Sequence, residues 1–295
     1  MDDLVTIAIP TYNRANLYLR DVISAALDQT WENIEVLVGD NASTDNTDKV
    51  VSEFKDPRLR YIQHKNNIGA NGNFNALLNA AKGKWFFLFH DDDMIDGDFI
   101  ESCMEIAKPD KNFGFIRTGV RAIDLNGKVL KERPNKITGE MREDFYLSWF
   151  NSQTGLYLCN TLFNTHHLKE VGGFQSLHNL LQDNYALVRL LDKWSHGVIE
   201  DIKASYRYSY DQQTYKVPVK AWCEDFRGLL DLIVAQCDSN RRNEILNRGQ
   251  RFFGHLCMRR AHAISSPINR FLAKILVARY FGPRLLINKN KILRS

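Results

Sequence analysis

The chain has 295 residues, 44% of them hydrophobic and 25% charged, with a formal net charge of +4, a globular composition sufficient for one large domain with an appendage or for two domains. No apolar run approaches the ~20 residues that cross a bilayer, and the opening "MDDLVTIAIP" has acids where a secretory signal has bases, so a cytoplasmic protein is expected. The five cysteines are scattered without CxxC spacing, which argues against a disulfide framework or zinc ribbon and for reduced thiols in cores.

The first hundred residues alternate β-type runs with helical patterns. "VTIAI" (5–9) is apolar and β-branched, and Pro10 is expected to end it. Leu19, Val22, Ile23, Ala26 and Leu27 follow with helical spacing. "IEVLVGD" (34–40) predicts a second strand, and Val50, Val51 and Phe54 a second helix. "LRYIQH" (59–64) predicts a third strand, Phe74, Leu77, Leu78 and Ala81 a third helix, and "WFFLF" (85–89) a fourth strand. Phe99, Ile100, Cys103, Met104 and Ala107 continue the alternation. Such repetition implies a Rossmann-like, mostly parallel sheet with helices on both faces. Right-handed crossovers then put every strand's C-terminal end on one edge, where ligands of open α/β sheets sit.

The middle is less regular. "FGFIRTGVRAIDLNGKVL" (113–130) predicts two strands around an Asn126-Gly127 hairpin turn. "NTLFNTHHLKEVGGF" (160–174) predicts a strand, a short helix and a Gly-Gly turn, and "LLQDNYALVRLL" (180–191) a helix that begins at or near Asp183. "HGVIED" and "KASYRYSY" predict two late strands, and from about residue 217 the pattern is helical to the end. The tail is also basic. From Arg241 onward thirteen Lys and Arg face a single acid, Glu244, leaving 26 bases and 34 acids elsewhere, a net charge of −8. Within it Ile268, Phe271, Leu272, Ile275 and Leu276 trace an apolar stripe beside Arg270, Lys274 and Arg279. The stripe suits either a core-packed helix or a segment lying on an anionic membrane leaflet. No base-reading motif accompanies the charge, so nucleic acid is not expected.

Three polar clusters fall at the ligand edge: "PTYNR" (10–14), "GDNASTDNT" (39–47) and "HDDD" (90–93). Neither a GxxxxGK[ST] loop nor a GxGxxG turn follows any strand, so backbone cradles for phosphate are missing. A divalent cation held by one or two carboxylates and by the ligand's own phosphate oxygens would replace them. Asp40, at its strand's end, can accept an N–H from a base or a hydroxyl from a ribose, while Ser43, Thr44 or Asp45 can cap the following helix. Tyr12 offers a ring for stacking on a base or for packing at the turn.

Over roughly residues 4 to 210 the chain resembles the family-two glycosyltransferases, inverting enzymes with the A-type glycosyltransferase fold. The resemblance rests on "TIAIPTYNR", "IEVLVGDNASTDNT", "NNIGANGNFNALLNAAKGKWFFLFHDDDMIDGDFIE", "VGGF" and "QDNYALVRL" in that order. It implies a nucleoside-diphosphate sugar donor, contacted by Pro10, Thr11, Tyr12 and Asp40 and flanked by Arg14, Asn41, Asn67, Gly69, Asn75, Asp91 and Asp92. It implies Mg²⁺ or Mn²⁺ held within Asp91, Asp92 and Asp93, either by Asp92 with Asp93 or in the register Asp91-x-Asp93. It further implies that Asp183 is the catalytic base, removing the proton from an acceptor hydroxyl. Three positions depart from the family pattern. His90 stands at the first acidic position of the metal element, Phe74 replaces an arginine before Asn75, and Gln182 replaces a glutamate before Asp183.

The expected organisation is a catalytic domain over 1–215, with a nucleotide-sugar half to about 110 and an acceptor half beyond, then a basic helical extension over 216–295. A glycan or lipid-linked acceptor and a peripheral position on the inner face of the plasma membrane fit this reading, and a homo-oligomer is left open. A sugar-nucleotide-forming nucleotidyltransferase would want a glycine-rich basic loop near the first strand, which "PTYNRANLYLR" is not. A non-catalytic carbohydrate- or partner-binding relative would have no use for Asp91, Asp92, Asp93 and Asp183.

Overall fold

The computed structural model describes residues 3–107, 111–208 and 217–286. Its first part is β1 (Val5–Thr11), α1 (Leu19–Leu27), β2 (Ile34–Asp40), α2 (Thr47–Ser52), β3 (Leu59–Gln63), α3 (Gly69–Ala80), β4 (Trp85–Leu88), a two-residue β5 (Met94–Ile95) and α4 (Phe99–Ile106). The first four strands pair in parallel in the order β3-β2-β1-β4. Alternation of side chains along them fills two cores. Val5, Ile7, Ile9, Val36, Val38 and Phe87 meet α1, α2 and α4 on one face, while Ala8, Leu37, Phe86 and Leu88 meet α3 on the other. Burial on both faces is why these strands read as unbroken apolar runs.

Pro10 does not end β1, which pairs with β2 through Pro10↔Gly39 and Thr11↔Asp40. Ala8 accepts the Phe89 N–H on the β4 side, so Pro10, two residues on, turns its missing N–H to that same side. The ladder to β4 has already stopped at Ala8↔Leu88, and no hydrogen bond is forfeited.

The second part comprises β6 (Phe113–Ile123), β7 (Val129–Arg133), α5 (Arg142–Phe150), a 3-10 turn at Leu158–Asn160, β8 (Thr161–Asn164), α6 (Thr165–Glu170), α7 (Gln182–Leu191) and β9 (Ser195–Arg207). Here the sheet is mixed. β8 runs antiparallel to β4, β6 antiparallel to β8, and β9 parallel to β6, giving nine strands among the described residues. The two late strands expected from the sequence are one 13-residue strand, β9. Its pairing with β6 shifts register around Arg117 and Gly119, so a bulge carries the strand past the acidic "IED" that resembles a boundary. Ser209 and Tyr210 of that prediction lie outside the described residues. The β6–β7 turn is also wider than a two-residue hairpin. Gly127 has φ +84° but Asn126 is not left-handed, and Asp124 accepts the N–H groups of both Asn126 and Lys128.

The remainder is helical through α8 (Val219–Gln236), α9 (Ser239–His262) and α10 (Pro267–Phe281), ending in a 3-10 turn at Pro283–Leu286; residues 287–295 lie outside the described range. These helices are continuous with the α3-side core, which runs from Leu37 and Phe86 through Phe145, Trp149 and Tyr185 to Phe226, Phe253, Val277 and Leu285. The apolar stripe of α10 points elsewhere. Ile268, Phe271, Leu272 and Ile275 are 73%, 63%, 56% and 38% exposed, whereas Val277, Ala278 and Phe281 are buried.

Candidate active site

The ends of β1, β2 and β4 and the loops after them form one edge. Asp40 lies opposite Thr11 and is fully buried. One of its oxygens accepts the Ser43 N–H at 2.8 Å; the other accepts the Tyr61 hydroxyl at 2.5 Å and the Gln63 amide at 3.1 Å. These three donors occupy three of the about four lone-pair positions of a carboxylate. Burial and the Asp40 charge raise the Tyr61 pKa far above the ordinary phenol value, which keeps that hydroxyl a donor.

The first two loops are laced together. Asn13 N–H donates to the Ser43 hydroxyl, Thr44 N–H to the Asn13 side chain, and Ala15 N–H to Asp45. None of the three residues considered as caps is the N-cap of α2, which is Asn46 without a side-chain cap bond; Asp45, one residue earlier, accepts both the N–H and hydroxyl of Thr47. Asn13 and Ala42 adopt φ +55° and +64°, a conformation non-glycine residues seldom take. Pro10 and Thr11 lie in the strand, while Tyr12 is 44% exposed at the edge, and the Arg14 charge acts on Asp91. Asn41, Asn67 and Gly69 form a knot. The Asn41 amide donates to Asn67, whose oxygen also accepts the Gly69 N–H, and Asn41 accepts the Ile68 N–H. Asn75 is spent on backbone: it donates to Phe174 O and accepts Phe174 N–H, tying α3 to the Gly172-Gly173 turn.

Asp91 and Asp93 are 9% and 7% exposed, and Asp92 and His90 are partly so. Burial pushes the Asp91 carboxyl up to about 6, the neighbouring Asp92 adding to the shift while Thr11 and Arg14 oppose it. Burial and the Asp92 charge likewise hold Asp93 well above the usual carboxylate range. The donor atoms of His90, Asp92 and Asp93 lie within 4.8 Å of one another. His90 Nδ1 stands 3.9 Å from Asp93 Oδ2, and His90 Nε2 is buried with no hydrogen-bond partner. An orphaned imidazole nitrogen beside two carboxylates, one of them buried so that its ionisation is opposed, is a donor set that fits a divalent cation. From the far end of β9, Arg207 braces the group. Its N–H donates to Asp93 at 3.1 Å, its Nε to Asp92 O at 2.8 Å, and its guanidinium lies 3.9 Å over the Tyr18 ring.

Asp183 is the second residue of α7, whose N-cap is Leu181, so it is not the capping residue. Burial pushes its carboxyl up to about 6, against backbone N–H groups and the Arg117 charge. Arg117, on β6, is fully buried and pushed down to about 9 by that burial. It donates to Thr161, Thr154, Asn160 and the Gly155 carbonyl, all neutral. These partners fix the 154–161 segment. Within it the Cys159 thiol, raised by burial, feels both Asp93 and Arg117, and the same Arg117 charge acts on Asp183. Sequence reasoning passed over Arg117, Arg207, Tyr61 and Gln63. A lone arginine inside the apolar "FGFIRTGV" was the available signal for the first.

Comparison with known proteins gives a consistent pattern. The family model described as "Glycosyl transferase family 2" matches residues 6–170. An uncharacterized glycosyltransferase of Rickettsia felis is 31% identical over 219 residues, covering 72% of this chain and 36% of that protein. Hyaluronan synthase of Pasteurella multocida is 34% identical over 239 residues, 71% of this chain and 24% of the synthase. The chain thus spans about a third or less of these relatives. Among solved structures, S. aureus TarS 1–349 in complex with UDP-GlcNAc superposes with a TM-score of 0.64 at 16% identity, over 96% of this chain and 90% of that one. The mannosyltransferase PcManGT of Pyrobaculum calidifontis, in complex with GDP-Man and Mn²⁺, gives 0.57 at 14% identity, over 97% and 83%. At these identities the structural matches establish the fold.

Proposed function

The chain belongs to glycosyl transferase family 2, and on that premise we propose that it moves a sugar from a nucleoside-diphosphate sugar to an acceptor hydroxyl with inversion, in surface-polysaccharide or lipid-linked oligosaccharide synthesis. The observation that carries this is the meeting of Asp40, Thr11 and the "HDDD" element on one sheet edge, with Asp183, partly exposed at the start of α7, under the same Arg117 charge that reaches Cys159. Residues 1–215 hold this chemistry in the proposal, and α8, α9 and α10 follow as an extension. The names of the relatives, a hyaluronan synthase and enzymes bound to UDP-GlcNAc or GDP-Man with Mn²⁺, support the donor and polymer classes.

Asp40 uses its remaining lone pair for the base or ribose, with Tyr12 alongside as a stacking face. Asp183 takes the proton of the acceptor hydroxyl; a base whose pKa is raised to about 6 is ionised at neutral pH yet basic enough to help, as general-base catalysis requires. Mg²⁺ or Mn²⁺, for which Asp92, Asp93 and His90 are the assembled donors, supplies Lewis-acid stabilisation of the departing diphosphate when bound. The decisive experiment incubates the protein with a panel of nucleotide sugars, acceptors and Mn²⁺ and follows nucleoside-diphosphate release and anomeric configuration. Donor-dependent release with an inverted product is expected; no release from any donor–acceptor pair overturns the proposal.

The proposed partner surface is an anionic membrane leaflet. Ile268, Phe271, Leu272 and Ile275 form an exposed apolar face on one side of α10, and Lys274 and Arg279 lie on the same helix within a tail of thirteen bases. That combination is the signature of interfacial attachment.

A further inference from the structure

His90 has no structural task that accounts for its polar atoms. Its Nε2 is buried without a partner, and its Nδ1 lies 3.9 Å from Asp93 Oδ2, too far for a hydrogen bond. Two ligand atoms on one cation, each at roughly 2.1 Å, are separated by at most about 4.2 Å, so Nδ1 and the Asp93 oxygen, 3.9 Å apart, are close enough to share one ion. The ring is held in place by Phe74, whose centroid is 5.4 Å away, and the nitrogen and the Asp92 and Asp93 oxygens already fall within 4.8 Å of one another.

We propose that His90 is a direct nitrogen ligand of the catalytic cation and sets its selectivity, favouring Mn²⁺ or Co²⁺ over Mg²⁺. The inference rests on the metal-dependent reading above and extends it. Oxygen-only sites suit Mg²⁺, which accepts imidazole reluctantly, whereas later divalent ions take nitrogen readily. One imidazole and two carboxylates also leave coordination positions for donor phosphate oxygens.

The test uses full-length protein with UDP present. Pulsed EPR of the Mn²⁺-loaded protein reads the ligand directly: a ¹⁴N coupling of imidazole type is expected, and it disappears in His90→Gln. Calorimetric titration of Mn²⁺ and Mg²⁺ then compares wild type with His90→Asp. Because most sites prefer Mn²⁺ somewhat, the informative quantity is the change in the Mn²⁺/Mg²⁺ affinity ratio, expected to fall roughly tenfold, the lower end of what altering a metal's ligand environment costs. The wild-type spectrum requires no variant to fold. Cation binding without ¹⁴N coupling, or with an unchanged ratio in His90→Asp, overturns this inference and leaves the metal reading standing. Absence of any cation binding overturns both.

Discussion

Asp183 shows how a single side chain can oppose stability at neutral pH. Its folded-state pKa, about 6, lies above the model-compound value of 3.8. The folded protein therefore binds that proton more tightly than the unfolded chain, and the stability this confers is complete below about pH 4 and lost as pH rises through 6. At pH 7 the ionised carboxylate is a burden. Asp183→Asn is accordingly expected to raise stability at pH 7 by roughly 1 kcal/mol after discounting for partial exposure, about 2 °C by thermal melt, while kcat falls about 10²–10⁴-fold. The wild-type kcat/KM rises through about pH 6. A variant with wild-type turnover would remove Asp183 from the mechanism. Tyr61→Phe makes a second case. It deprives the buried Asp40 carboxylate of a 2.5 Å donor, at an expected cost of about 1–3 kcal/mol, read by denaturant titration together with weaker nucleotide binding. Asp40 and the aspartates of "HDDD" were legible because like charges crowded at a strand end are expensive without a reason. Arg207 was not, since only the closure of β9 against β4's loop gives an arginine at 207 its meaning.

Among the elements, β1, β2 and β4 could be read to within a residue or two because both faces are buried. The mixed half could not. Nothing in "TLFN" declares that β8 runs antiparallel to β4, since strand direction is decided by which edge is free. The register shift that joins "HGVIED" to "KASYR" depends on Gly119, where an added Cβ would lie 2.8 Å from Ile202 and 3.0 Å from Arg133 O. α10 yields a prediction that a truncation could not test cleanly. Val277, Phe281 and Leu285 belong to the core, so deletion from Pro267 would uncover α8 and α9. The double substitution Phe271→Glu, Leu272→Glu falls instead on exposed positions. It is expected to leave the melting temperature within about 1 °C, as surface changes do, and to abolish sedimentation with anionic liposomes at low salt. Wild-type binding weakens as salt screens the bases. Wild-type protein that stays in the supernatant would assign the stripe to a protein contact.

For the molecule as a whole, the unliganded state carries carboxylates at one edge whose ionisation is opposed by burial and by their mutual repulsion. Mn²⁺ with UDP is thus expected to raise the melting temperature of the entire chain. Saturation at 100 times Kd contributes about 2.7 kcal/mol, and EDTA removes it. Protons compete for the same oxygens, so the increment shrinks as pH falls. An EDTA-insensitive shift would mean that the nucleotide binds without a metal.

The lacing of the first two loops governs more than where a ligand sits. Asn13, Ala15 and Thr44 have their amides committed to side chains of the opposite loop whether or not a donor has arrived. Those amides should exchange with deuterium slowly in the ligand-free protein, at rates that nucleotide barely alters. Stopped-flow association at this edge should then be a single exponential, its rate rising linearly with nucleotide concentration. A seat already built leaves no slow isomerisation to limit the approach.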